Sequence, residues 1–396
     1  MTTGVRPLDG ITVVALEHAV AAPFASRQLA DLGARVIKIE RTGEGDFARA
    51  YDTTVLGQSS YFVWLNRSKE SLTLDLKQAE GLKVLESLVL GADVLIQNLA
   101  PGAAARMGLD FATLHPKAPK LIVCDISGFG DVGPYRDKKA YDLLIQATAG
   151  LIALTGTPDH PSRAGASIAD IAAGMYAYSG ILTALIQRGR TGEGLRVEVS
   201  MLEAMTEWVS NSLYFGHYGG AEPIRGEASH PSVAPYGPHR AGDGGTVIFG
   251  LQNAREWARF CEGVLGQPEL TQDPRFSDNP RRVAHRAELT ALIEQRFAAL
   301  SLGEVEALLD SAGIASAAMN TMADVWSHPQ LAARDRWREV MTPAGPIGAL
   351  RPPASLSGVE AAMGDVPAVG AHTDAILAGL GFDAEAIGRL RADGVI

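Results

Sequence analysis

One acidic residue opens an apolar, small-residue segment and is the chain's best candidate for a reactive group. Residues 167–174 read SIADIAAG, so Asp170 is surrounded by alanines and a glycine. Ser167 stands three residues before Asp170, which is the spacing of a capping box at a helix start. A first-turn carboxylate is stabilised as the anion by the helix dipole and unpaired N–H groups, so we expect its pKa to be low. The pattern fits a helix cap or a nucleophile.

Apolar residues recur after Asp170 at the spacing of one helix face, and we expect that face to be buried. They are Ile171, Met175, Ile181, Leu182, Leu185 and Ile186. The helix is therefore predicted to begin at Ser167 and to pack along this stripe.

The composition predicts a soluble protein of more than one domain. Its 396 residues are 46% hydrophobic and 20% charged, which is enough apolar content for a large core. The formal net charge of -10 argues against a nucleic-acid or anionic-membrane partner. The two cysteines, Cys124 and Cys261, favour neither a disulfide framework nor a thiolate metal site. Because the N-terminus lacks a leader pattern and we find no apolar run long enough to span a bilayer, we expect a cytoplasmic location.

Alternating strand and helix patterns predict an α/β fold in the N-terminal half. Apolar, β-branched runs at 11–16 and 35–40 flank a helical segment at 23–32. Later strands are expected at 71–76, 93–97, 121–127 and 196–199, with a helix at 78–90. This alternation is typical of a parallel sheet with helices on both faces, so we predict a Rossmann-like large domain over residues 1–200.

Glycine- and proline-rich connections divide the second half of the chain. We predict a long helix at 202–218 followed by a linker, together residues 201–245, and then a smaller α+β domain over 246–329. Residues 330–396 are predicted to return to the first domain and to end in a helix near 371–380. Helices of the smaller domain are expected at 254–265, 282–299 and 302–312.

The turn after the first strand lacks the glycines of a dinucleotide-binding loop. It reads EHAVAAP at 17–23, so a pyrophosphate could not approach the following helix closely. The sequence also contains no Gly-rich Lys-Ser/Thr loop, no His-Glu-x-x-His and no Gly-x-Ser-x-Gly motif. These absences disfavour nicotinamide and flavin cofactors, nucleotide hydrolysis, zinc proteolysis and ordinary serine hydrolysis.

Several segments, in order along the chain, resemble the family III CoA transferases, the family of formyl-CoA transferase and carnitine CoA-transferase. Each segment is weak by itself, but this many in one order are specific. The resemblance implies a Rossmann-like large domain, a smaller α+β domain and an interlocked homodimer. The segments read LADLGARVIKIER at 29–41, GEGD at 43–46, NRSKESLTLDLK at 66–77, NLAPGA at 98–103, RMGL at 106–109, SGFG at 127–130, GPY at 133–135, YD at 141–142 and GAHTD at 370–374.

The resemblance implies that Asp170 attacks the thioester of an acyl-CoA. Aspartyl anhydride and aspartyl-CoA thioester intermediates follow, and the CoA passes to a carboxylic acid acceptor. Coenzyme A is then a cosubstrate, and no metal, nicotinamide or flavin is needed. Because one carboxylate replaces another on the same thiol, the exchange is nearly thermoneutral, and the protein must mainly position the groups and exclude water.

The resemblance also implies which residues contact CoA and substrate. Substrate contacts are expected from His18 and Val20 after the first strand, and from His230 and Tyr236 in the linker. In formyl-CoA transferase a glutamine stands where this chain has Val20, which weakens a formyl or oxalate assignment. The expected CoA contacts are Arg41, Leu74, Lys77, Arg106, Met107, Lys139 and Tyr141.

Two other functions remain open from the sequence. The α-methylacyl-CoA racemases share the implied fold but carry a histidine where this chain has Tyr141, so the loss of that base favours transfer over proton abstraction. A non-catalytic CoA- or nucleotide-binding protein would use Asp170 only as a helix cap.

The loop sequences around residues 17–24 and 230–238 look more like those of members that use dicarboxylates, such as succinyl- or mesaconyl-type thioesters. Such an acceptor carries a second carboxylate that a basic side chain should meet. The candidates for this contact are Arg49, Arg67 and Arg225.

Overall fold

Six parallel strands form the central sheet of the protein. The computed structural model describes residues 4–220, 222–223, 225 and 228–396. The strands are β1 (Thr12–Leu16), β2 (Arg35–Glu40), β3 (Lys69–Thr73), β4 (Val94–Gln97), β5 (Ile122–Ser127) and β6 (Arg196–Ser200). They lie in the order β3-β2-β1-β4-β5-β6, and every neighbouring pair is parallel. The α/β class predicted from the alternation of apolar runs is confirmed.

Helices join these strands and continue beyond them. They are α1 (Ala21–Asp31), α2 (Ser60–Leu65), α3 (Ala79–Leu90), α4 (Ala103–Arg106), α5 (Phe111–Leu114), α6 (Asp142–Thr148), α7 (Leu151–Leu154), α8 (Ile168–Thr191), α9 (Met201–Trp208) and α10 (Ser210–Gly219). The helix predicted at 202–218 is thus two helices, which separate at Val209 where the backbone leaves the helical conformation. The strand expected at 71–76 lies at Lys69–Thr73 instead.

The described chain forms two compact units. The first contains the residues up to Leu151, then Ala164–Leu213 and Ala333–Ile396, and the second contains Ile152–Arg163 and Tyr214–Ala332. Residues 201–213, predicted as part of a linker segment, therefore belong to the first unit, and a short piece before α8 belongs to the second.

The second unit contains a three-stranded antiparallel sheet, in the order β7-β8-β9, with helices. Its strands are β7 (Tyr236–Arg240), β8 (Thr246–Gly250) and β9 (Ser316–Ala318). Its helices are α11 (Ala254–Arg259), α12 (Asn279–Ala284), α13 (Arg286–Phe297), α14 (Leu302–Ser311), α15 (Met322–Trp326) and α16 (Pro329–Ala333), the last reaching the unit boundary. A buried core rich in aromatic residues, including Phe249, Trp257 and Phe297, holds this unit together.

The C-terminal segment packs on the first unit. It forms an antiparallel hairpin of β10 (Trp337–Thr342) and β11 (Gly345–Leu350), followed by α17 (Thr373–Gly379) and α18 (Ala384–Ala392). Leu377 and Leu390 join the same apolar core as Leu72 of β3 and Leu85 of α3. The hairpin and α18 were not anticipated from the glycine- and proline-rich sequence.

Helix α8 packs on α1 through small residues. Its buried residues are Ala169, Ala172, Ala173, Gly174, Ala177, Ile181 and Ala184. Of the six residues in the predicted stripe, Ile181 alone is fully buried, and Met175 and Ile186 are exposed by 37% and 62%. The other three, Ile171, Leu182 and Leu185, are partly buried, so the prediction of the buried face is wrong in large part. The cause is close approach: a Cβ at Gly174 would lie 2.7 Å from the carbonyl oxygen of Ala21.

By length and composition alone, α8 could cross a membrane, so the expectation that no apolar segment is long enough for this is wrong. A core helix of a soluble protein passes the same criterion, and α8 buries its small-residue face in the first unit.

We expect Gly174→Ala to lower the free energy of unfolding by about 1–3 kcal/mol, because the added methyl group meets backbone. Gly189→Ala on the same helix is the matched control, since a Cβ there meets nothing within 4 Å. That control should be neutral or stabilising by up to about 1 kcal/mol. Denaturant unfolding of both variants measures the difference, and equal stabilities would show that the α1–α8 contact can relax.

Candidate active site

The loops after β1 and β4 meet at the carboxyl edge of the central sheet. The chain order reverses between these two neighbouring strands, and open α/β sheets bind ligands in the crevice at such a point. Asn98 ties the loops together: its Oδ1 accepts the N–H of His18 at 3.1 Å, and its Nδ2 donates to the His18 carbonyl at 2.9 Å. His18 is therefore held at the edge where a ligand would bind.

Asp170 lies in the first turn of α8, half-buried. The predicted capping box does not form, because the Ser167 side chain makes no cap hydrogen bond. Asp142 of α6 takes that place: its Oδ1 accepts the N–H of Ala169 at 2.9 Å and the N–H of Asp170 at 3.4 Å. Within the described part of the chain, the Asp170 carboxylate has no hydrogen bond or ion pair. The Asp170 side chain therefore does not cap the helix.

The expectation of a low pKa for Asp170 is wrong. Burial, and then the negative charge of Asp142, raise the pKa of Asp170 to about 7. The helix-start N–H groups that were expected to stabilise its anion are occupied by Asp142. Asp170 therefore changes its charge near neutral pH, and its anion is more basic than an ordinary aspartate.

Aromatic rings follow the loop after β2. The Phe47 ring lies 5.0 Å from that of His18 and 5.7 Å from that of Tyr51, which in turn contacts Tyr61 at 5.5 Å. Burial and the charges of Asp46 and Asp170 raise the pKa of Tyr51 to about 12. Tyr51 is thus a neutral O–H group that feels the charge of Asp170, and sequence reasoning missed it.

A buried charge network lies beneath the His18 loop. Lys38 Nζ contacts Asp46 Oδ2 at 2.8 Å and Glu17 Oε1 at 3.4 Å, and Lys69 Nζ contacts Glu17 Oε1 at 2.6 Å. Asp46 Oδ1 accepts the N–H of Ala19 at 3.3 Å, and Ala19 has a φ of 60°. The network therefore holds a left-handed, non-glycine residue in the loop after β1.

His18 is neutral at physiological pH. Burial lowers its pKa, and the charges of Lys38 and Arg41 lower it further, against an opposing effect of Asp46. The imidazole can therefore give or accept a hydrogen bond near the sheet edge without adding a positive charge.

The four basic residues expected to contact CoA are exposed. Within the described ranges, none of these side chains has an ion pair or a side-chain hydrogen bond. They are Arg41, Lys77, Arg106 and Lys139. In a protein with a net charge of -10, these basic side chains, which have no anionic partner within the described ranges, are available to bind an anionic ligand.

Arg106 lines a cleft of about 580 Å³ beside the ends of β4 and β5. Leu99, Phe111 and Ser127 also line it, so the cleft combines apolar and polar walls at the carboxyl edge of the sheet. Two further arginines there are already paired, Arg136 with Asp137 and Arg196 with Asp125.

The remaining expected contacts differ in exposure. Leu74 and Val20 are each 2% exposed, so their side chains belong to the core. Met107 packs against the core of the first unit, whereas Tyr141 is 66% exposed at the start of α6.

Residues 8–373 of the chain match the model of the protein family described as CoA-transferase family III. The chain belongs to that family. It is an enzyme, a CoA transferase, and its six-stranded parallel sheet agrees with the match.

This family III CoA transferase has specifically named relatives. It is 32% identical to the succinyl-CoA:glutarate CoA-transferase of Homo sapiens over 397 residues, which cover 99% of this chain and 90% of that protein. It is 36% identical to the acetyl-CoA:oxalate CoA-transferase of Acetobacter aceti over 346 residues, 86% of this chain and 88% of that protein. A CaiB/BaiF family protein from Brucella suis superposes with a TM-score of 0.85 at 36% identity, covering 95% of this chain and 100% of that chain.

Two expected substrate contacts of the transferase lie in the second unit. The rings of His230 and Tyr236 stack with centroids 5.3 Å apart, and the N–H of His230 donates to the Tyr236 carbonyl at 2.9 Å. Tyr236 lines a cleft of about 590 Å³ in that unit together with Arg286 and Glu294, whereas His230 is not part of its wall.

The three arginines considered for a second carboxylate are all engaged within the protein. Arg49 pairs with Glu40 at 2.7 Å, and Arg67 pairs with Asp31 at 2.7 Å. Arg225 donates to main-chain carbonyls, among them that of Thr157 at 2.8 Å. The transferase therefore does not hold any of the three free for an acceptor.

The sequence analysis did not assign Asp46, Tyr51 or Gln146 to the site. It named Asp142 only as part of the YD segment. Asp46 and Asp142 stand in the GEGD and YD segments, so those motifs carried a signal. Tyr51 stands outside every quoted segment. Among the described residues, no group of three or more His, Cys, Asp or Glu side chains could hold a metal ion.

Proposed function

We propose that this transferase moves CoA from an acyl-CoA to a small dicarboxylic acid by covalent catalysis at Asp170. One observation carries the proposal: a half-buried carboxylate with no hydrogen bond or ion pair in the described chain lies close enough to Tyr51 and Asp142 to interact with them electrostatically. A cap would be bonded to helix N–H groups, whereas Asp142 fills that role here. Asp170 is left free to form a bond with substrate.

The proposed reaction has four steps that balance without water or metal. The Asp170 carboxylate attacks the thioester carbonyl, and the carbon–sulfur bond breaks to release CoA thiolate and leave a mixed anhydride. The thiolate then attacks the aspartyl carbonyl and releases the donor acid, which leaves an aspartyl-CoA thioester. The acceptor carboxylate attacks this thioester and regenerates thiolate and a second anhydride. The thiolate finally takes the acceptor acyl group and restores Asp170.

The protein's part in these steps is positioning and charge control. Holding the reacting groups together can contribute roughly 7–11 kcal/mol to lowering the barrier. Tyr51 keeps its proton, so its O–H can donate to a developing oxyanion near Asp170, while neutral His18 can orient a carbonyl. Partial burial of Asp170 limits the water that would hydrolyse an anhydride.

The exposed Arg41, Lys77, Arg106 and Lys139 are proposed to bind the phosphates of CoA. They are uncommitted cations, and Arg106 opens onto the cleft at the ends of β4 and β5. We expect Arg106→Ala to raise the KM for acyl-CoA, with little change in kcat, because it removes binding that is equal in ground and transition states. Steady-state kinetics measures this, and an unchanged KM would exclude Arg106 from CoA binding.

The proposed acceptor is a small dicarboxylic acid. Two relatives carry names with glutarate and oxalate as acceptors, both of which are dicarboxylic acids. A panel of mono- and dicarboxylic acids, assayed with succinyl-CoA and acetyl-CoA as donors, tests this directly. Transfer to monocarboxylates alone would contradict it. Release of the α-proton into solvent without exchange of acids would indicate a racemase-type epimerase instead.

Transfer should depend on the ionisation of Asp170. Since only the anion attacks and its pKa is raised to about 7, kcat/KM should be constant above that pH and fall about tenfold per pH unit below it. The measurement is kcat/KM for acyl-CoA between about pH 5 and about pH 9. A profile that stays flat down to about pH 5 would mean that Asp170 titrates as an ordinary aspartate.

We also propose that the protein is a homodimer in the cytoplasm. Met175, Tyr176 and Ile186 leave an apolar strip of α8 exposed, beside the edge strand β6. Such a strip suits a second copy of the chain. Sedimentation of the purified protein tests this, and a stable monomer would contradict it.

Both cysteines are buried and unpaired, in keeping with a reducing compartment.

A further inference from the structure

Asp142 contacts the start of α8 from a distant part of the sequence. It stands in the first turn of α6, and its Oδ1 accepts the N–H of Ala169 at 2.9 Å and that of Asp170 at 3.4 Å. These are the N–H groups that a first-turn aspartate would otherwise compete for. The Asp142 carboxylate therefore occupies the helix start, and the Asp170 carboxylate has no hydrogen bond or ion pair among the described residues.

Gln146 fixes the orientation of Asp142. The Gln146 side chain is fully buried, and its Nε2 donates to Asp142 Oδ2 at 2.7 Å. Its Oε1 accepts the N–H of Ala164 at 3.0 Å, so both ends of the amide are used. Asp142 thus has both oxygens engaged in a fixed geometry, which keeps its negative charge directed at the start of α8.

We propose that Asp142, oriented by Gln146, is a positioning residue that occupies the N–H groups at the start of α8 and thereby keeps the Asp170 carboxylate free and basic. The inference rests on the proposed nucleophilic role of Asp170. A carboxylate bonded to two N–H groups is a stabilised and therefore weaker nucleophile. With those groups filled by another anion, Asp170 gains reactivity without a dedicated base.

The other charged or titratable groups near Asp170 do not replace this effect. Tyr51 keeps its proton, because burial and the charges of Asp46 and Asp170 raise its pKa to about 12. Burial contributes most to the basicity of Asp170, and Asp142 is the charged neighbour that adds to it. Removing the charge of Asp142 while keeping its shape should therefore separate the two contributions.

The deciding experiment is the pH profile of kcat/KM for Asp142→Asn. An asparagine oxygen can still accept the Ala169 N–H, so the helix start should hold, but the charge is gone. The asparagine NH2 group then faces the Gln146 Nε2 donor, so that hydrogen bond is lost as well, and Gln146→Leu shows the effect of this loss alone. We expect the acidic limb to move to lower pH by about 1 unit or more. Asp383→Asn, at the N-cap of α18, is the matched control and should leave the profile unchanged. An unmoved acidic limb in a folded Asp142→Asn enzyme that binds CoA overturns the proposal.

Gln146→Leu provides a second variant if Asp142→Asn does not fold. It removes the donor to Asp142 but keeps the charge, so kcat should fall about 5- to 10-fold while KM and the acidic limb stay in place. A Gln146→Leu enzyme with unchanged kcat overturns the orienting role. Asp170→Ala is assayed beside both variants: activity in that variant would refute the nucleophile itself, whereas its inactivity with an unmoved Asp142→Asn profile refutes only the present inference.

Discussion

Asp170→Ala should abolish CoA transfer while leaving CoA binding intact. The substitution removes the carboxylate that forms the proposed anhydride and aspartyl-CoA thioester. Loss of a covalent nucleophile costs on the order of 10⁴-fold or more in kcat. Because the Asp170 carboxylate has no hydrogen bond or ion pair in the described chain, its removal should cost little stability. The assay is exchange of CoA between an acyl-CoA and a dicarboxylic acid.

Asp170→Asn tests the same point with a side chain of nearly equal shape, which keeps the packing of the first turn of α8. Calorimetric titration with CoA shows whether each variant still binds. A variant that binds CoA and transfers it at the normal rate would contradict the nucleophilic role and leave Asp170 as a helix-start residue only.

Lys38→Met should strongly destabilise the protein. Lys38 is fully buried and sits between the carboxylates of Asp46 and Glu17 at 2.8 and 3.4 Å. Burial alone would lower the pKa of Lys38, but Glu17, Asp46 and Glu40 outweigh it and raise the pKa above its usual value. Removing the ammonium leaves the buried Asp46 without a counter-charge, whereas Glu17 keeps its pair with Lys69, and breaking such a buried pair costs roughly 3–5 kcal/mol.

The Lys38→Met effect should also reach the active site, because Asp46 holds the N–H of Ala19 in the His18 loop. Denaturant unfolding measures the stability, and kcat of the folded fraction measures the loop. Lys83→Met is the matched control, since the Lys83–Glu80 pair at 2.7 Å is exposed by 69% and 59% and should contribute little. Equal stabilities of the two variants would show that the buried network tolerates an unpaired carboxylate.

Strands β1, β2 and β4 were predictable because nearly all their residues are buried and their sequences are mainly apolar. β1, β2 and β4 lie within about one residue of their predicted positions. The hairpin β10–β11 could not be predicted in this way, since most of its residues are partly buried or exposed and Pro346 lies within β11. The buried face of α8 was missed because close helix packing at Gly174 selects alanines rather than large apolar residues.

The candidate site was predictable where one residue stands out locally and unpredictable where partners are distant in sequence. Asp170 stood out in SIADIAAG, but its electrostatics depend on Asp142, 28 residues away. Capping rules use only neighbouring residues such as Ser167. The sequence therefore predicted that the helix-start N–H groups stabilise the Asp170 anion and lower its pKa, whereas the pKa is raised. The internal partners of the three candidate arginines could not be predicted for the same reason. Arg67, for example, pairs with Asp31, which lies 36 residues away in the sequence.

Trapping the covalent intermediate tests the proposed chemistry most directly. The enzyme is mixed with succinyl-CoA, quenched in acid during turnover and digested, and the peptide that contains Asp170 is analysed by mass spectrometry. The proposed chemistry predicts a peptide heavier by one CoA less one water, sensitive to hydroxylamine and absent from Asp170→Asn. Full turnover with no adduct on Asp170, or with the CoA attached to another residue, would contradict it.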